Sequence, residues 1–332
     1  MYGQEAKTAL VLGATGGIGG AVAEALLARG WRVRGMARDA ATAARGWTGA
    51  PGIEWVQGDA MRRADVMAAA RGAGVIVHAV NPPGYRDWDR LVLPMIDNTI
   101  AAARAGGARI VLPGTVYNYD PAQVPLARED SPQQPASRKG RIRVALERRL
   151  EEASGRAPVL ILRAGDYWGP GARSSWFSAG MIGEGRPLRR LTLLTRSGAG
   201  HSWAYLPDVA ETVARLLDAP ERLRPFERVG MEGLWDEDGT RMPALVEEAL
   251  GRRLPRKRFP WWAMRALEPF GGFAREAAEL RPLWSHPLRI DNTRLRALLG
   301  EELRTPPSEA MRAALAALGL LEPAGEAPVP VG

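Results

Sequence analysis

Apolar residues along this chain gather in short, mostly unbroken runs, separated by longer stretches in which they recur every three or four positions. The runs Ala9–Leu12, Val33–Ala37, Ile53–Gln57, Val75–Ala79, Arg109–Leu112 and Val159–Arg163 read as strands, with helical segments such as Gly17–Arg29 and Pro94–Ala105 between them. Strands without polar alternation are buried on both faces, and regular β–α alternation supplies the helices that bury them. From Thr8 to about Leu217 the pattern predicts an α/β fold, a Rossmann-type doubly wound parallel sheet. The Pro- and Gln-rich stretch Ala122–Ser137 reads as loop, and the tail Glu322–Gly332 as frayed.

After about Pro220 the texture changes, and a smaller, mostly helical C-terminal lobe is expected over residues 221–332, beside a dinucleotide-binding domain over residues 1–220. This lobe contains the cluster Phe259-Pro260-Trp261-Trp262. The spacing of Trp261, Trp262, Met264, Leu267 and Phe270 fits one helix face packing on the first domain, with the surrounding arginines solvated.

Composition narrows the chemistry. The chain has 332 residues, no Cys and three His (His78, His201, His286), which excludes disulfides, thiolate metal sites and Cys nucleophiles. Its net charge is +8, and Lys7, Lys139 and Lys257 are the only lysines among 45 cations. Residues 251–300 carry 11 Arg and Lys against 4 Asp and Glu, so the excess charge sits almost wholly in that window. A basic window with aromatics allows a weaker reading as an RNA-binding surface. No uninterrupted apolar run approaches a membrane span, and the five residues Thr8–Leu12 are too short for a signal peptide, so a soluble cytoplasmic protein is expected.

Gly13-Ala14-Thr15-Gly16-Gly17-Ile18-Gly19 follows the first strand directly and opens the first helix. Glycine permits the tight turn and a close backbone approach to a pyrophosphate, while the helix N-terminus offers free N–H groups and the positive end of its dipole. The strand–turn–helix setting makes this a dinucleotide site. The second strand ends in Arg38-Asp39. A guanidinium there pairs with a 2′-phosphate, so NADP is favoured, while Asp39 keeps NAD as the alternative. Asp59 and Ala60 follow the third strand, where the carboxylate would meet the adenine amino group. His78, Ala79 and Val80 end the fourth strand, at the carboxyl edge where ligands sit.

These residues carry a family resemblance. The chain resembles the extended short-chain dehydrogenase/reductases, the group that includes NAD(P)-dependent sugar-nucleotide epimerases and dehydratases. The matching features are Gly13-x-x-Gly16-x-x-Gly19, Gly58-Asp59, Asn98 in the helix before strand five, and Val116-Tyr117. Further on come Leu162-Arg163-x-x-x-Tyr167-Trp168-Gly169-Pro170-Gly171 and Ala204-Tyr205-Leu206-Pro207-Asp208-Val209-Ala210. The resemblance implies a C-terminal lobe closing over a small-molecule substrate, cofactor contacts that include Asn98, and a helix-mediated homodimer.

The departures are as informative. Such enzymes carry a Tyr-x-x-x-Lys pair on a helix, the phenol exchanging a proton with the substrate oxygen. In this chain Lys139 stands at the Tyr position, Arg143 at the Lys position and Pro113 at the preceding Ser/Thr position, with Thr115 the nearest hydroxyl. The chain is thus similar to the atypical branch that lacks the tyrosine. Lys139, made more acidic by burial and the neighbouring Arg143, is one candidate proton donor. Thr115, Tyr117 and Tyr119 are others, while Lys139 and Arg143 are alternatively cofactor ligands. His201 reads as a surface residue that could face substrate, and Asp208 as a helix N-cap. Two functional classes stay open. One is an NAD(P)-dependent oxidoreductase or epimerase/dehydratase-like enzyme acting on a small carbonyl or hydroxyl compound or a nucleotide sugar. The other is a non-catalytic NADP(H)-binding sensor or scaffold.

Overall fold

The structure, a computed structural model of the chain, describes residues 7–82, 87–183 and 187–321. Asn81-Pro82-Pro83 after the fourth strand reads from the sequence as a loop over the cofactor, and of it Pro83, like the tail from Glu322, lies outside the described residues.

Seven parallel strands form the central sheet: β1 (Thr8–Leu12), β2 (Arg32–Ala37), β3 (Ile53–Gln57), β4 (Val75–His78), β5 (Arg109–Gly114), β7 (Val159–Arg163) and β11 (Phe226–Gly230). Their order is β11-β7-β5-β4-β1-β2-β3, which puts the reversal of winding between β1 and β4. A crevice opens at such a point, beyond the carboxyl ends of the strands. Two-residue side-chain alternation divides the buried strand residues between two layers. Leu10, Leu12, Ile76, Ile110 and Ile161 face one layer, over α3 (Arg63–Ala69), α4 (Trp88–Gly106) and α5 (Arg138–Ala153). Ala9, Val11, Val77, Val111 and Leu160 face the other, over α1 (Gly17–Ala28) and α6 (Leu206–Asp218). A short helix, α2 (Ala40–Gly46), joins β2 to β3.

The six strands expected from the sequence match observed strands to within about two residues at each end. The seventh, β11, escaped the apolar pattern because Glu227 and Arg228 interrupt it; it lies beyond residue 220 and pairs with β7 at the sheet edge. The helix expected from Pro94 begins at Trp88, and Pro94 sits inside it. The buried Trp88 indole anchors that first turn, and proline removes only one helical hydrogen bond.

Over the carboxyl edge lies the second lobe. Its strands are short: β6 (Leu126–Ala127) pairs with β14 (Arg289–Ile290), β8 (Asp166–Trp168) and β12 (Leu234–Asp236) flank β10 (His201–Tyr205), and β9 (Leu191–Leu193) pairs with β13 (Arg256–Arg258). Its helices are α7 (Arg241–Leu250), α8 (Trp261–Leu267), α9 (Gly272–Ala278), α10 (Arg281–Ser285) and α12 (Pro307–Ala317), with a π-turn at Trp176–Ile182, whereas α11 (Thr293–Leu299) packs beside α6 and β11 on the central sheet.

Two sequence expectations change here. Asp208 is not the cap of α6: the helix starts at Leu206, and the Asp208 carboxylate accepts hydrogen bonds from the Thr305 N–H (2.8 Å) and hydroxyl (2.6 Å), tying down the chain before α12. Pro207 in the first turn allows this earlier start. The aromatic helix is divided rather than one packed face. Trp261 and Met264, three residues apart, pack inward, whereas Trp262, Leu267 and Phe270 project outward. Among the described residues, no helix is long and apolar enough to cross a membrane.

Candidate functional site

At the switch point the glycine turn fits its surroundings so closely that side chains are excluded. Gly13 has φ +87°, a left-handed value, and a Cβ there would lie 2.7 Å from the Ala79 carbonyl oxygen. A Cβ on Gly17 would lie 2.7 Å from the Gly171 carbonyl oxygen, and one on Gly19 would collide with the Gly13 carbonyl. The Gly16 N–H closes the turn onto the Gly13 oxygen at 2.9 Å. Gly16 then N-caps α1 with no side-chain cap and no acidic residue in the first turn. The first N–H groups of α1 and its positive dipole end are left for an anion. Thr15 and Gly16 are exposed and Ile18 is half-buried, so one wall of the turn is open. These residues fit the pyrophosphate of a dinucleotide.

Beyond β2, Arg38 is exposed and makes no ion pair or hydrogen bond among the described residues. Asp39 is otherwise engaged: it N-caps α2, one oxygen accepting from the Thr42 N–H (2.9 Å) and the other from the Thr42 hydroxyl (2.7 Å). Those bonds hold its carboxyl below the usual carboxylate range. Asp59 is half-buried and accepts from the Met61 N–H, while the Asn98 amide donates to the Ala60 carbonyl at 2.9 Å. Asn98 thus fixes the backbone of the loop that carries Asp59.

His78 is buried at the end of β4. The Thr99 hydroxyl donates to the Met95 carbonyl, so it accepts from His78 Nδ1 at 2.8 Å, which puts the proton on that nitrogen. Burial first, and the Arg143 charge second, push this imidazole down to about 3. Arg143 reaches the Asn81 side-chain oxygen at 3.2 Å and lies over the Trp88 indole, 4.8 Å from the ring centroid. Ala79 and Val80 continue past β4 along the turn.

On α5, Ser137 caps the helix by accepting from the Gly140 N–H, and Lys139 opens it completely buried. Beside its ammonium stand two carboxylates of the C-terminal lobe: Glu279 at 2.8 Å, and Glu276. Glu279 also accepts from the Lys139 backbone N–H at 2.7 Å. The sequence reading set Arg143 as the neighbour that governs Lys139; two anions are its closest ionic partners in space. The lysine at the position where the resembled family carries its tyrosine is therefore a clamp between α5 and α9. Glu276 and Glu279 were missed by sequence reasoning, although two acids three residues apart in an otherwise basic window were a usable signal.

Thr115 is half-buried after β5, accepting from the Tyr117 N–H at 3.4 Å, and the buried Tyr117 ring lies 6.4 Å from that of Trp88. Tyr119 packs under the Arg163 guanidinium (5.1 Å), which makes a buried two-bond pair with Glu147 at 2.9 and 2.7 Å. Tyr167, on β8, has a buried hydroxyl with no hydrogen-bond partner among the described residues. Burial pushes this phenol well above its ordinary value, with Arg143 working in the opposite direction. His201 is buried, not on the surface: its Nε2 meets Asp166 at 2.8 Å and its ring stacks on Trp284 at 4.0 Å.

Two cavities, of about 630 and 790 Å³, lie elsewhere in the second lobe and share Glu232, Trp235, Arg289 and Arg304. Neither is lined by the glycine turn, Lys139 or Arg143. The convergence of buried titratable groups at the strand ends is the better guide to the chemistry.

A family model described as NAD(P)H-binding matches residues 13–149. A 3-diazoavenalumate denitrifying reductase from a Streptomyces species is 31% identical over 178 residues, 49% of this chain; the match spans 57% of that protein's length. Among solved structures, UDP-glucuronic acid 4-epimerase from Bacillus cereus, in complex with UDP-glucuronic acid and NAD, matches 94% of this chain and 99% of its own, with a TM-score of 0.75 at 15% identity. The Bordetella bronchiseptica enzyme WbmH, in complex with NAD+, matches 95% of this chain and 99% of its own, with a TM-score of 0.70 at 20% identity. At such identities the solved structures establish the fold. The chain thus carries an NAD(P)H-binding domain on a fold that it shares with these enzymes.

Proposed function

We propose that the protein is an NADP(H)-dependent reductase of a small carbonyl-type or similarly electrophilic compound. The reading is carried by the glycine turn, whose side-chain-free cradle and uncapped helix N-terminus suit a pyrophosphate. NADP is preferred because Arg38 has no competing partner among the described residues, whereas both Asp39 oxygens are committed to Thr42. The nicotinamide, when bound, supplies a hydride. A reductase is preferred over an epimerase because the relative matched in sequence is named a reductase, while the epimerases share only the fold.

Of the sequence candidates, Lys139 acts as a positioning residue: its charge serves Glu276 and Glu279 and holds α9 on the cofactor domain. Tyr117 and Thr115 stay in the site as wall and hydroxyl donors. The proton donor is Tyr167, whose buried hydroxyl has no partner among the described residues that would compete with a substrate oxygen. A phenol raised by burial holds its proton until a strongly basic oxyanion forms beside it. The test follows NADPH absorbance over a panel of carbonyl compounds. Tyr167→Phe should lower kcat about a hundredfold while leaving NADPH affinity unchanged. Loss in Tyr117→Phe instead, with Tyr167→Phe intact, transfers the role to Tyr117.

A second reading is a cofactor-binding sensor that catalyses nothing, favoured by the use of the family's tyrosine position as a buried ion pair. Separate titrations decide between the two: a sensor prefers NADP+ or NADPH and turns over no member of the panel.

A further inference from the structure

Among the described residues, six large hydrophobic side chains are exposed, and four of them fall within twelve consecutive positions. Trp262 is 78% exposed, Leu267 48%, Phe270 85% and Phe273 58%. They stand on α8, the turn after it and α9, the helix that also carries Glu276 toward Lys139. Scattered exposed hydrophobics are normal on a protein, but a contiguous cluster of this size marks an interaction surface.

The charge around the cluster names the partner. Strand β13 leads directly into α8 and pairs with β9, so the exposed cations Arg189, Arg190, Lys257, Arg258, Arg265 and Arg275 lie on the segment that carries the cluster or on the chain leading into the strand paired with it. None of the six makes an ion pair among the described residues. Of the acids nearby, Glu276 and Glu279 are turned inward to Lys139, which leaves Glu268 as the exposed acid of residues 256–280. A second copy of the chain fits poorly, because a two-fold contact would set one cationic rim against another in a protein already carrying +8. The hydrophobic tips are a mixture of indole, phenyl and leucyl groups on short outward-facing helices. Such a set inserts at a headgroup boundary, whereas base recognition stacks successive rings along a groove.

We propose that residues 256–275 form a docking face for anionic lipid surfaces, with Trp262, Leu267, Phe270 and Phe273 entering the headgroup boundary and the surrounding arginines and lysine pairing with lipid phosphates. The protein then lies on a membrane without crossing it. The face is the outer side of the same segment that clamps Lys139, so a molecule partitioned into the lipid would meet the protein at the edge of its site.

The experiment is flotation of the full-length protein with vesicles of phosphatidylcholine alone, or of phosphatidylcholine and phosphatidylglycerol in equal parts. Binding is expected to the anionic vesicles and to be weakened by salt. Trp262→Gln with Phe270→Gln, two strongly exposed positions whose change leaves the core intact, should reduce binding more than tenfold. Lys257→Gln, Arg258→Gln and Arg265→Gln should each reduce it roughly fivefold, the effect of about 1 kcal/mol per surface cation. NADPH titration of every variant checks that the fold persists. Wild-type protein that stays unbound overturns the proposal, as does binding unmoved by the Trp262/Phe270 pair. Binding of a single-stranded RNA homopolymer in place of vesicles, or a dimer lost in the pair variant, reassigns the face and overturns it too.

Discussion

The two sides of the site are built by different means. The cofactor side is local: within seven residues Gly13, Gly16, Gly17 and Gly19 make a turn whose function follows from having no side chains. The side proposed for the substrate is assembled from afar, since Lys139 meets carboxylates some 140 positions away, and His201 meets Asp166 and Trp284. Backbone geometry therefore specifies the first half, whereas charge and ring pairing across two lobes specify the second. Changes on the cofactor side should act through steric exclusion, and those on the substrate side through unpaired charge.

The largest effect is expected from Gly19→Ala. Its new methyl group meets the Gly13 carbonyl, a backbone atom that cannot move without undoing the turn. A stability loss of about 3 kcal/mol and abolished NADPH binding are expected in denaturant titration and fluorescence titration. If the variant binds NADPH normally, the turn is not specified sterically and the comparison fails on its simpler side.

Lys139→Met is the matching change across the lobes. It leaves Glu276 and Glu279 partly buried opposite an apolar side chain, at a cost of about 3 kcal/mol. Adding Glu276→Gln and Glu279→Gln should return much of that stability, because the penalty lies in two carboxylates that have lost the lysine, Glu276 keeping only Arg138, at 3.4 Å, among the described residues. A triple variant no more stable than Lys139→Met would show that the lysine stem, not its charge, joins the lobes.

The pH dependence sharpens the contrast. His78 is held neutral down to about 3 by burial and Arg143, against 6.5 when free. The unfolded chain binds its proton first, so stability is fully present above about 6.5 and is lost as pH falls from there toward 3. His78→Asn should flatten the urea-midpoint curve between those values, by a few kcal/mol at its lower end.

The smallest effect belongs to Glu247 of α7, which accepts from Arg256 at 2.8 Å and from Arg253 at 3.0 Å. The bond to Arg256 leads in lowering it to about 2, from 4.5. Its contribution is complete above 4.5 and fades as pH falls toward 2, so the Tm curves of Glu247→Gln and the parent should converge there. Convergence already complete at neutral pH would remove this pair from the forces holding β13, and with it the basic strand of the proposed lipid-docking face.

What could be read in advance divides along the same line. Strands β1, β4, β5 and β7 were legible because each is buried on both faces and hence almost continuously apolar. Strands β2 and β3, toward the sheet edge, still carry enough apolar residues to show. Strand β11 was not, since Glu227 finds Arg294 only in the folded chain, at 2.7 Å. Nothing in the spacing around Asp208 pointed to Thr305, and which of Trp261 and Trp262, about 100° apart around the helix, turns inward is decided only when the second lobe supplies a surface for one of them.

By itself the sequence determined the doubly wound sheet, the glycine cradle and the absence of the family's Tyr-x-x-x-Lys pair, because each is written in neighbouring residues by steric and hydrophobic rules. Only the tertiary structure decided what Lys139, Asp166, Tyr167 and His201 do. A buried charge or hydroxyl takes its role from the groups brought beside it, and those arrive from parts of the chain whose order carries no record of the meeting.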